Sequence, residues 1–246
     1  MLSVIIITKN EAEHIGRCLS SVSWADEIIV FDSGSTDQTV AICESFGAHV
    51  YVTDWPGFGP QKQRALDKAT QPWVLSLDAD EYVDDKLRTA IQNVISNDNA
   101  DAYQIPRLSS YCGRNIHHGG WWPDYVLRLF KRDKGRFTKD VVHETIQVSG
   151  TILNLSAPLQ HEAFVDPDEV LSKINHYSSL GAAKLYAQGK TSNLCVAVFK
   201  GIWTFLRCYF LQASFLDGPE GLMLAISNAE GTYYKYLKLR QLNMQK

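Results

Sequence analysis

Leu2-Ser3-Val4-Ile5-Ile6-Ile7 runs directly into the polar turn Thr8-Lys9-Asn10-Glu11. The run is continuous, apolar and β-branched, which predicts a strand buried on both faces rather than one with a wet side. The next segments repeat the theme. Residues 11–22 predict a helix with Ile15, Leu19 and Val22 on one face and Asn10 as its N-cap. Residues 27–31 form a second buried strand, ending in Asp32-Ser33-Gly34-Ser35-Thr36-Asp37. A helix over 39–46 follows, with Asp37 expected to cap it. Then come a strand over 49–53, a helix over 61–69, a strand over 73–77 and a helix over 86–95. Alternation of this kind implies parallel βαβ units with right-handed crossovers. Ligands of such sheets bind beyond the carboxyl ends of the strands, which directs attention to residues 8–11, 32–37 and 78–81.

After residue 101 the pattern loosens. Residues 102–106, 126–131 and 144–148 read as shorter strands between Gly- and Trp-rich loops, and from Asp168 onward the chain reads as helical. No internal repeat or low-complexity segment is present.

The 246-residue chain is 45% hydrophobic and 21% charged, enough for a sizeable core and unlike a disordered segment. A net charge of -3 argues against a general nucleic-acid binder. Residues 190–246 nevertheless carry seven Lys/Arg and three Asp/Glu, so a basic, aromatic-rich tail follows an acidic body and is expected to meet something anionic. Cys18, Cys43, Cys112, Cys195 and Cys208 form no CxxC pair and no zinc spacing, so a reducing compartment is expected. Met1 leads into the first strand without a basic flank, so no signal peptide is expected.

Asp78-Ala79-Asp80-Glu81 follows the strand over 73–77. Strand-end carboxylates one residue apart can reach one divalent cation, and a diphosphate group calls for such a cation to balance its charge. Taken alone, the same residues read as an acidic helix start, since Asp84 and Asp85 follow. The loop at Asp32 lacks the Gly-x-Gly-x-x-Gly spacing of a dinucleotide fold and offers a carboxylate at the strand end, suited to accepting the imide N–H of a base.

Ser3–Glu11, Asp32–Asp37 and Asp78–Glu81 together resemble the family 2 glycosyltransferases of GT-A fold. Trp121-Trp122-Pro123-Asp124, Arg128-Leu129-Phe130, Val142-His143-Glu144 and Phe215-Leu216-Asp217-Gly218-Pro219 extend the resemblance to the bacterial lipopolysaccharide-core β-glucosyltransferases. The resemblance implies an α/β catalytic domain over 1–165 with a mostly parallel central sheet, a nucleotide-sugar half at 1–100 and an acceptor half at 101–165. A helical extension over 166–246 would follow. It implies inverting transfer of a hexose, expected to be glucose, from a UDP-sugar to a hydroxyl of the lipopolysaccharide inner core, with Mg or Mn as cofactor. By position, Thr8, Lys9, Asn10, Glu11 and Asp32 would hold the nucleotide base and Arg64 would lie near the nucleotide. Asp78 would face the ribose or donor sugar, and Asp80 would bind the metal, with His161 as candidate for completing its shell. A direct displacement needs a base for the acceptor proton; Glu144 is the first candidate and Asp124 the second. The rival readings are a sugar nucleotidyltransferase, disfavoured because Thr8-Lys9-Asn10-Glu11 holds no glycine, and an inactive membrane-bound scaffold of the same fold.

Residues 194–216 are long enough to span a bilayer. Lys200 and Arg207 interrupt them seven residues apart, nearly two helical turns, and so share one face. That favours a helix lying in the membrane interface. Tyr233, Tyr234, Lys235, Tyr236, Lys238 and Arg240 predict a second basic-aromatic patch. The expected setting is the cytoplasmic face of a bacterial inner membrane, with a lipid-linked oligosaccharide as acceptor and no nucleic-acid partner.

Overall fold

The computed structural model describes residues 1–138 and 145–245. The chain forms two compact units: Met1–Arg107 with Asp124–His161, and Leu108–Pro123 with Glu162–Lys246. Residues 108–123 thus lie in the same unit as the helical segment that starts after His161.

In the first unit β1 (Leu2–Thr8) is the axis of the sheet, and all seven of its residues are buried. Successive side chains point to opposite faces of a strand. Leu2, Val4 and Ile6 accordingly pack in one cluster with Leu19, Val30, Leu75 and Leu87. Ile5 and Ile7 pack in another with Ile29, Phe31, Ala65 and Leu66. Each such aliphatic side chain contributes about 1.5–3 kcal/mol on full burial, which is why the opening run dominates the core.

Parallel to β1 lie β2 (Glu27–Asp32) and β4 (Trp73–Asp78), and β3 (His49–Val52) is parallel to β2. The antiparallel partners are β8 (Asp124–Lys131) on β4 and β6 (Ala102–Tyr111) on β8. At the far end β12 (Leu159–Phe164) pairs with the short β5 (Glu81–Tyr82). The order along the sheet is β3-β2-β1-β4-β8-β6-β12-β5, with β11 (Ile152–Asn154) parallel to β6. A separate ribbon joins β9 (Gly135–Phe137) to β10 (Ile146–Val148).

Helices α1 (Ile15–Ser21), α2 (Thr39–Ser45), α3 (Phe58–Lys68) and α4 (Asp85–Asn97) connect the parallel strands and flank them. Asp84 caps α4 by accepting from Leu87 N at 2.8 Å, and Asp85 sits in its first turn. Those two acids thus belong to the helix start, separate from Asp78 and Asp80. The expected Asn10 N-cap is not formed. Asn10 adopts φ +56°, outside the extended range of a cap, and α1 begins four residues later than the pattern suggested.

In the second unit β7 (Arg114–Asn115) pairs with the end of β6, ahead of α5 (Pro167–Ala187), α6 (Leu194–Leu206) and α7 (Gly218–Met244). Tyr111, Ile116, Val170, Cys208, Leu224 and Ala225 form its core, which is the physical reason residues 108–123 belong here. Gly201 lets α6 approach α7 closely, since a Cβ there would meet Tyr233 Cβ at 3.2 Å. After α6 the chain tightens into a π-helical turn, Arg207–Leu211. Leu194–Leu211 has a mean hydropathy of 1.5 and is long and apolar enough to cross a membrane by length and composition. Phe199, Ile202, Trp203, Phe210 and Leu211 are exposed along it, as are Lys200 and Arg207. The second basic-aromatic patch differs from expectation. Lys238 Nζ is taken up by Asn175 O, Asn175 Oδ1, Ser178 Oγ and Ser179 Oγ at 2.8–2.9 Å, so it ties α7 to α5.

Candidate active site

Parallel register sets Thr8 beside Asp32 and Ile7 beside Asp78, so the three expected strand ends share one edge of the sheet. Two loops meet there. Asn10 N donates to Ser35 Oγ at 2.8 Å, and Asn10 Oδ1 accepts from Thr36 N at 2.8 Å. Glu11 N donates to Thr39 Oγ1 at 2.8 Å and Ala12 N to Asp37 Oδ2 at 3.2 Å. Asp37 also accepts from Thr39 N at 3.0 Å, but the N-cap of α2 is Gln38 and no side chain caps it, so the expected Asp37 cap is not formed. The Thr39 hydroxyl, followed by other donors, outweighs desolvation and draws the Asp37 carboxyl below its usual value. Lys9 stands exposed beside this seam.

Asp32 is fully buried. Its Oδ1 accepts from Gly34 N at 2.9 Å and Ser35 N at 2.8 Å. Its Oδ2 accepts from Thr8 Oγ1 at 3.0 Å and Ser35 Oγ at 2.5 Å. A carboxylate offers about four acceptor positions, and all are used within the protein. These four bonds hold the Asp32 carboxylate at the strand end and shape the loop around it. The turn passes through Gly34 at φ +80°, a conformation that glycine adopts without steric cost.

Below Asp32 a charge network closes over the end of β4. Asp78 Oδ1 meets Lys62 Nζ at 2.8 Å, and Asp78 Oδ2 is bonded by Arg128 Nη2. The same Arg128 nitrogen reaches Glu81 Oε1 at 2.6 Å. Arg107 Nη1 lies 3.5 Å from Glu81 Oε1, and its Nη2 lies 2.7 Å from Asp124 Oδ2. Lys62, Arg107 and Arg128 thus balance Asp78, Glu81 and Asp124, which offsets the cost of taking these charges from water. Burial on its own would push the Asp78 carboxyl up; Arg128 and Lys62 outweigh it and hold the group well below the usual carboxylate range. Burial would likewise lower Arg128, but Asp78 and Glu81 raise it above its ordinary value. Arg128 Nε is buried without a hydrogen-bond partner.

Asp80 and His161 come together at the other side of Glu81. In the β5–β12 pair His161 lies opposite Glu81, which brings His161 Nε2 to 3.4 Å from Asp80 Oδ2. With metal–ligand distances of about 2.1 Å, neighbouring donors of one cation lie about 3 Å apart, so this carboxylate–imidazole pair fits two positions around a divalent ion. Among the described residues no group of three or more His, Cys, Asp or Glu gathers to hold a metal. The remaining ligands would come from water, diphosphate or residues outside that set.

Arg64 pairs with exposed Asp54 at 2.8 Å, drawing the Asp54 carboxyl down chiefly through that hydrogen bond. Lys62, two positions earlier, is the α3 cation that enters the site. A hollow of 760 Å³ runs along α3 beside Arg64, Arg132 and Arg136, and Asp32, Asp78 and Asp80 do not line it. Asp124 gives its Oδ2 to both Nε and Nη2 of Arg107, at 3.0 and 2.7 Å. Glu144 lies outside the described residues. Sequence reasoning passed over Gln61, which is buried and donates to Ser33 Oγ at 3.1 Å and Thr53 Oγ1 at 2.9 Å.

A GT-A sheet whose strand ends gather carboxylates defines the class. Residues 3–152 match the family model described as Glycosyl transferase family 2, and the chain belongs to that family of glycosyltransferases. It is 34% identical over 260 residues to an uncharacterized glycosyltransferase of Rickettsia bellii (strain RML369-C), covering 99% of this chain and 87% of the relative. It is 32% identical over 253 residues to the lipopolysaccharide core biosynthesis glycosyltransferase LpsC of Rhizobium meliloti (strain 1021), covering 98% and 92%. Among solved structures, S. aureus TarS 1–349 in complex with UDP-GlcNAc superposes with a TM-score of 0.50 at 18% identity, over 99% of this chain and 91% of that one, a likeness of fold.

Proposed function

We propose that this glycosyltransferase moves a hexose, glucose, from a UDP-sugar to a hydroxyl of a lipid-linked lipopolysaccharide inner-core oligosaccharide, with inversion. The likeness to LpsC along nearly the whole of both chains carries this reading. The donor assignment draws support from the strand-end site. Lys62 and Arg128 stand at Asp78, and the unpartnered Arg128 Nε is a donor of the kind a phosphate oxygen satisfies. The seam between residues 8–12 and 32–39, organised by Asp32, would receive the base.

In the transfer the acceptor oxygen bonds to the anomeric carbon, the bond from that carbon to the diphosphate oxygen breaks, and UDP leaves with the bonding pair. The acceptor proton passes to a carboxylate. We assign this role to Glu144, because Asp124 is already committed to Arg107. Asp80 and His161 are the residues that would hold Mg or Mn, which neutralises charge developing on the leaving diphosphate. Lys62 and Arg128 keep Asp78 ionised, and Arg107 and Arg128 fix Glu81 and Asp124 through their ion pairs, so the donor meets a rigid surface.

The exposed apolar band over Leu194–Leu211, flanked by Lys200 and Arg207, supports peripheral attachment to the cytoplasmic face of the inner membrane. Deleting the gene and weighing the core glycolipid by mass spectrometry tests the whole reading. Loss of one hexose is expected, and an unchanged core would overturn it.

A further inference from the structure

Asp217 belongs to a sequence motif that the transfer chemistry leaves unused, yet it is 3% exposed and holds three atoms in register. Its Oδ2 accepts from His118 N at 2.8 Å, and its Oδ1 accepts from His117 N at 3.2 Å and lies 3.0 Å from His118 Nδ1. An ionised carboxylate can only accept. Nδ1 is therefore the donor of this pair, and in the neutral imidazole Nε2 is left as the acceptor. The His118 side chain is 35% exposed.

The surroundings are those of a sugar site. The ring of His117 stands edge-on to half-buried Trp122 at 5.9 Å. Trp121 stacks on Phe164 and packs edge-on against Tyr111, which anchors the loop from below. Beside the dyad an open hollow of 620 Å³ is lined by Cys112, Gly113, Arg114, Asn115, His117 and Glu220. A pyranose presents hydroxyls that both donate and accept, and a face of C–H bonds that packs on aromatic rings. A fixed acceptor, amide and guanidinium donors and an aromatic surface match that chemistry.

We propose that His118, oriented by Asp217, is a saccharide-binding residue of the helical unit and accepts a hydrogen bond from a hydroxyl of the acceptor oligosaccharide. The proposal rests on the transferase reading above and names the acceptor's subsite.

The test uses the full chain and, as probe, inner-core oligosaccharide released by mild acid from lipopolysaccharide of the deletion strain. Saturation-transfer NMR reports its binding without turnover; transfer kinetics with UDP-glucose report KM for each substrate. His118→Ala should abolish the saturation-transfer signal and raise the acceptor KM about tenfold or more, the effect of about 1.4 kcal/mol, while the donor KM stays put. His118→Gln, which keeps a distal acceptor atom, should recover most of the binding; His118→Asn should not. Circular dichroism checks folding, and Asp217 is left intact because its loss would free two backbone donors. Unchanged oligosaccharide binding in His118→Ala, or no binding by the wild type, overturns the subsite. Binding that depends on His118 without transfer leaves the subsite standing and overturns the transfer reading instead.

Discussion

Nε2 of His161 stands 3.4 Å from Oδ2 of Asp80 although the two residues are remote in sequence. The link is the antiparallel register of β12 on β5, which sets His161 against Glu81, the residue after Asp80. A donor pair built by strand pairing keeps its geometry without substrate, as a site on rigid elements should.

Asp80→Ala should abolish transfer while leaving the fold intact. Several kcal/mol of charge stabilisation corresponds to about a hundredfold or more in rate. Mn titration by electron paramagnetic resonance, with UDP present, should show weaker binding in Asp80→Ala and His161→Ala alike. Wild-type rates in excess chelator would remove the metal from this account.

Asp32→Ala should weaken UDP binding and also lower stability, because Thr8 and Ser35 hydroxyls and two backbone N–H groups lose their acceptor. An orphaned buried donor costs about 1–3 kcal/mol. Calorimetry with UDP and thermal melts separate the outcomes: a pure base contact would lower affinity with an unchanged melting temperature.

Glu144→Gln should keep UDP binding and slow transfer by about a hundredfold or more, the usual contribution of a positioned base. Asp124→Asn should act more mildly, through loosened Arg107. If Asp124→Asn is inactive and Glu144→Gln transfers normally, Asp124 is the base.

Charge reversal at Lys200 and Arg207 should weaken sedimentation with anionic vesicles by about tenfold or more, since each basic residue near such a surface contributes about 1 kcal/mol. Salt alone should release only part of the wild-type protein, because Phe199, Ile202 and Trp203 add apolar binding. Transfer to a soluble acceptor fragment should persist. Equal sedimentation of wild type and variant would count against electrostatic attachment.

The parallel half of the fold was legible because β1 carries the same apolar signal on both faces, and the turns at Thr8, Asp32 and Asp78 follow strands directly. Strand β6 runs past Pro106 to Tyr111, where the reading stopped, since one proline removes a single ladder donor and leaves the neighbours able to pair. The charge network was not legible. Arg128 meets Asp78 and Glu81 only through the pairing of β8 with β4, and no local period reveals contacts at that separation. Likeness pointed to Arg64 on α3 and nothing local pointed to Lys62; residues two apart on a helix face nearly opposite ways, and α3 turns Lys62 inward. Lys238 looked like a surface charge because its acceptors lie on a different helix.

The central claim is hexose transfer from UDP-glucose to the lipopolysaccharide core, and the most direct measurement joins the two substrates. Purified protein is incubated with UDP-glucose, Mn and lipopolysaccharide from the deletion strain, and the glycolipid is weighed by mass spectrometry while UDP is quantified. The account predicts a gain of one hexose per core with equimolar UDP, both lost in Asp80→Ala. A glycolipid of unchanged mass, or pyrophosphate released in place of UDP, would contradict it.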